Sequence, residues 1–559
     1  MKQQLSGALV IALSGAMATS LLHAQGRGGS EWTTSGYDAQ RTGSIKNDPR
    51  ISVQAMQKPG DFGAFKFLWK VKLEYEPKAA TALTQPILLD RIIGFRGFKS
   101  IAFVGTQSET VHAIDIDFGT PLWKYHINYS ASPPPMLNVT AACPGGLVAS
   151  LSRPTTVAPA AGGGGGFGGG RGGRSGSGVG EPGMGAVTLA TAGQQRGGGA
   201  GPNAPGGRGA ARGAVPGSAA AAAGNTPGGL PPGARGGGGF GGGPFVPGND
   251  AAYVVGSDGF LHALNVQNGA DFLPPTLFVP ANTHVAGLLI ANLGEAGSVA
   301  YAATTHGCGS QPDGVWAMEL GTDKKDVVAF QPKDARIAGG GVTLGRDGTV
   351  YITTSGGSSS MSNQLIALES KTLKQKAAAS VSGANFNSSP LVFAQKDKDV
   401  VATTGQGKLY LFDAAALTNG PAATTAVAGS EKLESGALAS WEDAQNARWI
   451  AVTSSRGIVT FKVTDDGGKL ALQPGWTSRD IPSPLPPLVI NGVMFTASSG
   501  TKAVPSVLYA IDAATGKELW SSLRAITTSV RSGLSAGQGN VYLPGADGTL
   551  YAFGFGIEK

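Results

Sequence analysis

Few residues in this sequence have the types and spacing that chemistry requires. Gly533-Leu534-Ser535-Ala536-Gly537 has the form G-x-S-x-G of a nucleophile elbow. That elbow needs a strand-to-helix turn with a histidine and an acid in reach, whereas here the match falls on a strand pattern, so a packing role is expected. The six histidines include His23 near the N-terminus and show neither H-x-H nor H-E-x-x-H spacing, which indicates no zinc site. His112 and His262 stand where related segments carry tyrosine, which makes them structural, while His126, His284 and His306 are isolated. The absence of C-x-x-C-H excludes attached haem, and there is no Walker motif. Two cysteines remain, Cys143 and Cys308.

The elements that must position these residues announce themselves as a repeat. Segments of the form Leu-Tyr-Ala-Leu-Asp begin at Val111, Leu261, Val315, Leu365, Leu409, Val459, Leu508 and Leu550. Most intervals are 42 to 54 residues, and the first, of 150, falls to 59 once a 91-residue tract is set aside. A period near fifty with several short strands per unit signals a β-repeat ring, because one small sheet cannot bury both faces alone. Asp258-Gly259, Asp347-Gly348, Asn491-Gly492 and Asp547-Gly548 each separate apolar runs and supply the positive φ angles of tight hairpins. The last copy lacks a closing strand, while Phe67-Leu68-Trp69-Lys70-Val71 ahead of the first copy resembles the closing strands Pro121-Leu122-Trp123 and Glu518-Leu519-Trp520. An N-terminal strand is therefore expected to complete the eighth sheet, close the ring and leave no long free edge. Trp69, Trp123, Trp476 and Trp520 share one position in the repeat and are read as packing between units.

Composition bounds the rest. Among 559 residues there are 89 Gly and 34 Pro, and only 14% are charged. That is too apolar for a wholly disordered chain and too interrupted for a multi-span membrane protein. Lys2, the apolar run 5 to 22 and Leu22-His23-Ala24 read as a signal peptide cleaved after Ala24, so 1–24 is assigned to export, to a secreted or periplasmic location, with no transmembrane segment after its removal. Residues 25–65 form an N-terminal extension and 66–559 the repeat domain. The tract 158–248, rich in Gly, Ala and Pro, is read as a disordered insertion, since it cannot bury enough apolar surface to offset its ordering entropy. It also holds six Arg and one Glu, so most of the formal charge of +7 lies there and not on a folded basic stripe. Nucleic acid is set aside as a partner.

The repeats resemble the pyrroloquinoline quinone (PQQ) repeat, the blade of the quinoprotein-type eight-bladed β-propeller, and Glu31-Trp32-Thr33-Thr34-Ser35-Gly36-Tyr37-Asp38-Ala39-Gln40-Arg41-Thr42-Gly43 looks like the segment ahead of the first blade in exported members. The resemblance implies an all-β, eight-bladed propeller. It implies a function less directly, because this fold serves dehydrogenases and assembly scaffolds alike. A quinoprotein dehydrogenase would use PQQ with calcium, a carboxylate and an amide on the metal, a carboxylate base, an arginine beside the quinone and a ring beneath it. Family alcohol dehydrogenases usually also carry adjacent cysteines over the quinone, whereas Cys143 is followed by Pro144 and Cys308 by Gly309.

In such a ring the inner strands begin around the mouth of the central channel, where pockets of propellers commonly form. The repeat register puts Gln85, Asn138, His284, Arg336, Asn385, Glu434, Ser483 and Arg531 there, as ligand-binding candidates or as a solvated rim. It puts Cys143 and Cys308 on one face of neighbouring blades, so a disulfide is expected, with two separate buried thiols as the alternative. The sequence thus reads as an exported, non-catalytic propeller that binds a partner protein or small-molecule ligand at its channel mouth. The alternative is a PQQ-dependent dehydrogenase of alcohols, sugars or polyols with a divergent site.

Overall fold

The computed structural model describes residues 31–58, 60, 63–73, 82–94, 97–127, 143–157, 248, 250–309, 311–429 and 437–556. The expected signal peptide, nearly all of the Gly-rich tract, Asn138 and Glu434 lie outside them. The described strands form eight sheets, the blades of a β-propeller. Each of the eight repeat copies is the third strand of its blade, and the second and third strands are almost continuously buried because each blade packs on both sides.

The ring closes through its two chain ends. Lys66–Lys72 pairs antiparallel with Thr549–Gly554, the third strand of blade eight, with a bulge between Phe67 and Trp69. Between blades, the outer-strand tryptophans act as locks. The indole Nε1 of Trp69 donates to Ile116 O (3.0 Å), that of Trp123 to Val266 O (2.9 Å) and that of Trp476 to Ala513 O (2.9 Å). In each case the glycine three residues on, Gly119, Gly269 or Gly516, has φ between +67° and +77°, and a Cβ there would come within 2.8 Å of the indole. Only glycine meets both demands. Trp520 instead packs edge-on against Phe65 at 4.9 Å.

Two blades are irregular. The stretch 147–152, at the inner position of blade two, gives only the isolated pair Ser152 and Tyr253. The chain then leaves as Pro154–Thr156, which pairs parallel with the inner strand His284–Asn292 of blade three. In blade four the inner strand is split into Arg336–Ile337 and Thr343–Leu344 around Gly339, Gly340 and Gly341. Cys143 and Cys308 form a disulfide with Cα atoms 5.8 Å apart. It ties the connection entering blade two to the loop after the second strand of blade three.

The largest departure from the sequence reading concerns the segment taken as an extension ahead of the propeller. Residues 32 to 48 lie inside it and visit every blade in order. Leu88 N of blade one donates to Trp32 O (2.8 Å), Arg153 N to Thr33 O (2.8 Å), and Thr34 Oγ1 to Leu288 O of blade three (2.9 Å). Leu344 N of blade four donates to Ala39 O (2.8 Å), Val392 N of blade five to Gln40 O (3.0 Å), and Ser440 N of blade six to Thr42 O (2.9 Å). Ser44–Ile45 then pairs parallel with Leu488–Ile490 of blade seven, and Asp48 Oδ2 accepts from Gly539 N of blade eight (2.8 Å). The cause is an accounting of hydrogen bonds. The innermost strand of a blade has one edge with no neighbour in its own sheet, and buried N–H groups on that edge need acceptors.

Candidate functional site

Alternate side chains of this inner segment line two different pockets. Arg41 and Gly43 line one, together with Trp32, Ser35 and Gly36, while Gln40, Thr42, Ser44 and Lys46 line the other. The first pocket, of about 200 Å³, lies at the mouth, since its walls are the residues that lead into inner strands: Gln85 in blade one, Gly340 in blade four, Ser388 to Leu391 in blade five, and Pro486 to Leu488 in blade seven. The second, of about 320 Å³, is walled by Arg346 beyond the split inner strand of blade four, by Val392, Phe393 and Ala394 in blade five, where Ser388 and Ser389 line the first, and by Ser440 and Arg448 in blade six.

Arg41 is the only charged residue among the described lining of the mouth pocket. Its guanidinium is largely spent on backbone: Nε donates to Val342 O (2.7 Å) and one terminal nitrogen to Gly340 O (2.8 Å). Burial pushes its pKa down to about 10, against the opposing charge of Asp38. Gly287 permits this approach: its φ is +60°, and a Cβ there would sit 2.3 Å from a terminal guanidinium nitrogen and 2.0 Å from Gly340 O. The wall also presents the Ser389 hydroxyl and the indole N–H of Trp32, a residue 1% exposed, neither with a hydrogen-bond partner among the described residues. The pocket therefore offers donors and one cation.

Of the residues expected at the mouth that are described, only Gln85 lines this pocket, and its amide donates to Leu534 O across the junction of blades one and eight. Arg336, Asn385, Ser483 and Arg531 are exposed, and Asn385 has its backbone N–H bonded to the Asn363 side chain (2.7 Å). His284 opens the inner strand of blade three, its ring 4.6 Å from that of His306, so two histidines that look isolated in sequence meet across a strand pair. Asp313 is close by: its Oδ1 accepts from Gly307 N (2.8 Å), while Oδ2 has no hydrogen-bond partner among the described residues. Burial raises its carboxyl above the usual range, although the charges of His306 and Arg336 act the other way.

The remaining chemistry-bearing residues are structural. Ser535 is fully buried and gives its hydroxyl to Pro86 O of blade one, so the G-x-S-x-G serine seals the ring closure. His262 Nδ1 pairs with Asp271 (3.1 Å), and His126 Nδ1 with Thr110 (3.1 Å). What the sequence reading missed is the inner segment's own contribution, Trp32 and Arg41 above all. The segment has no strand or helix period to betray its place, and the only available signal was its likeness to the motif ahead of family blades.

The described mouth lining does not fit a quinone held on a hard cation, which needs several oxygen ligands, carboxylates among them. No carboxylate lines the pocket among the described residues, and no group of three His, Cys, Asp or Glu suited to a metal is found among them. Glu434, the carboxylate expected at the mouth, is outside the described residues.

No protein-family model matches the sequence, and no curated protein matches it. Solved structures do. A europium-containing methanol dehydrogenase aligns with a TM-score of 0.50 at 10% identity, over 94% of this chain and 98% of that one. A quinohemoprotein alcohol dehydrogenase from Pseudomonas putida aligns with a TM-score of 0.51 at 10% identity, over 95% and 81%. BamB from Moraxella catarrhalis aligns at 0.43 and 10% identity, over 89% and 99%. The chain has the quinoprotein-like eight-bladed propeller fold.

Proposed function

We propose that this eight-bladed propeller is an exported, non-catalytic protein that binds a partner or small ligand at its channel mouth. The observation that carries this reading is the mouth pocket itself. It is floored by the chain's own N-terminal segment, and its described lining has one cation, already bonded to backbone, with no carboxylate to serve as base or metal ligand. Such a lining favours recognition through hydrogen bonds and shape over acid–base turnover, for which its described residues supply no pair.

A second reading, a PQQ-dependent dehydrogenase of alcohols, sugars or polyols, draws support from the fold shared with the two dehydrogenases and from Arg336 near Asp313 and the paired His284 and His306 at the rim. Titration of the purified protein with PQQ and calcium, followed by absorbance and dye reduction, separates the two. The expected result is no stoichiometric complex and no quinone-dependent oxidation of glucose or simple alcohols. Stoichiometric binding at micromolar concentration, abolished by Arg531→Ala or Arg336→Ala, would make the mouth an active site.

A further inference from the structure

The second pocket, on the far side of the inner segment from the mouth, has a different chemistry. Three donors converge on it without hydrogen-bond partners among the described residues: Gln40 Nε2, Ser440 Oγ and Arg448 Nε. These side chains are deeply buried, at 5%, 1% and 8% exposure. They come from three elements, namely the inner segment and the first and second strands of blade six, so no local turn accounts for their convergence. Unfilled donors in such a position are costly, and a ligand with several acceptor oxygens would relieve all three at once.

The charge around the pocket has the same sense. Arg346, Arg448 and Lys46 line it. Arg346 pairs with Asp399, whereas Arg448 (2.6 Å) and Lys46 both reach Glu442, so three cations share two carboxylates that stand behind the wall. Arg448 is held with its guanidinium 5.3 Å over the Phe393 ring. Burial lowers its pKa, Glu442 opposes this, and the neighbouring Arg346 charge lowers it further, which is the mark of two cations kept closer than they would choose. Asp38 is the one carboxylate in the lining; its oxygens accept from Thr42 N (2.9 Å) and Thr42 Oγ1 (2.6 Å), and burial raises its pKa toward the neutral form.

We propose that this pocket binds a small oxyanion, the carboxylate or phosphoryl group of a soluble ligand, through Arg448, Gln40 and Ser440, with Arg346 and Lys46 supplying charge. The site is on the opposite side of the inner segment from the mouth and stands or falls independently of the mouth's function. The volume of about 320 Å³ leaves room for the oxyanion and a few carbon atoms beyond it.

The test is calorimetric titration of the full-length protein at low ionic strength with inorganic phosphate in one arm and citrate in the other, which distinguishes phosphoryl from carboxylate recognition. Saturable binding of at least one is expected, with affinity reduced about tenfold or more by Ser440→Ala and by Gln40→Met. These variants remove side-chain donors that make no hydrogen bond within the fold, so circular dichroism and melting temperature should stay near those of the parent. Gln85→Ala, at the mouth, should leave oxyanion binding unchanged. Absence of saturable binding of either anion up to about 10 mM would overturn the proposal, as would binding insensitive to both pocket variants.

Discussion

The two pockets share one wall and differ in everything else. Toward the mouth, the inner segment presents glycines, Trp32 and an arginine whose donors are spent on carbonyls; toward the far side it presents Gln40, Thr42, Ser44 and Lys46 against two buried guanidiniums. One segment makes both although it is not a continuous strand: Tyr37, Arg41 and Gly43 have φ of +84°, +57° and +61°, so its turns direct neighbouring side chains to the two sides. The difference teaches that a propeller's axis need not carry one site. A chain segment laid across the inner edges divides it into two compartments whose charge can be set independently.

The sharpest way to break this contrast is to remove the shared wall. Trp32 is fully buried and packs on Tyr37 with ring centroids 5.5 Å apart. Trp32→Ala should cost about 3–5 kcal/mol in chemical denaturation and weaken ligand binding on both sides. A loss confined to one side would show that the pockets do not depend on a common partition. The disulfide belongs to the mouth side alone, so reduction should lower stability by about 2–4 kcal/mol yet leave oxyanion affinity on the far side intact. Denaturant unfolding with and without reductant, paired with calorimetry, checks both halves.

Titration gives a subtler handle. Burial raises Asp38 above its ordinary 3.8, so its protonated form is favoured in the folded state. Its contribution to stability is full below the unfolded value and is lost as pH rises through the higher folded value. Asp38→Asn holds the group neutral and should flatten the dependence of the urea midpoint on pH over that window; an unchanged slope would mean that other groups, such as Asp313 at the mouth, dominate it. Smallest of all should be the effect of replacing 160–246 by a short Gly-Ser linker. From composition that tract buries little, so the melting temperature is expected to move by about a few degrees at most.

The ring was legible because its evidence is local and repeated. Asn491-Gly492 marks a hairpin, Leu508 to Asp512 a buried strand and Trp520 an outer one, and the same signs recur around the chain. The likeness of Phe67-Leu68-Trp69 to later outer strands even disclosed the closure, because that strand obeys the rule of the others. The sites were far less legible. Gln85 could be placed at the mouth by register, but Arg41 is brought there by a segment whose backbone partners come from eight different blades. Gln40, Ser440 and Arg448 form a site only once the chain between 40 and 440 has folded between them. No spacing in the sequence encodes that distance. The pairing of His284 with His306 was hidden in the same way, being a cross-strand register and not a motif.

The meeting of Lys66–Lys72 with Thr549–Gly554 has a consequence for how the molecule comes into being. A nascent chain presents its N-terminal portion first, yet that portion is the part that must wait longest, since its partners include the last strand to be made. Residues 32 to 48 likewise cannot settle until inner strands of every blade exist to receive them. Blades one to seven can form hairpin by hairpin from neighbouring sequence, whereas closure demands contacts across nearly the whole chain and should set the slow step of folding. Until that step, the inner segment has no place to lie, so neither compartment exists in any partly assembled ring.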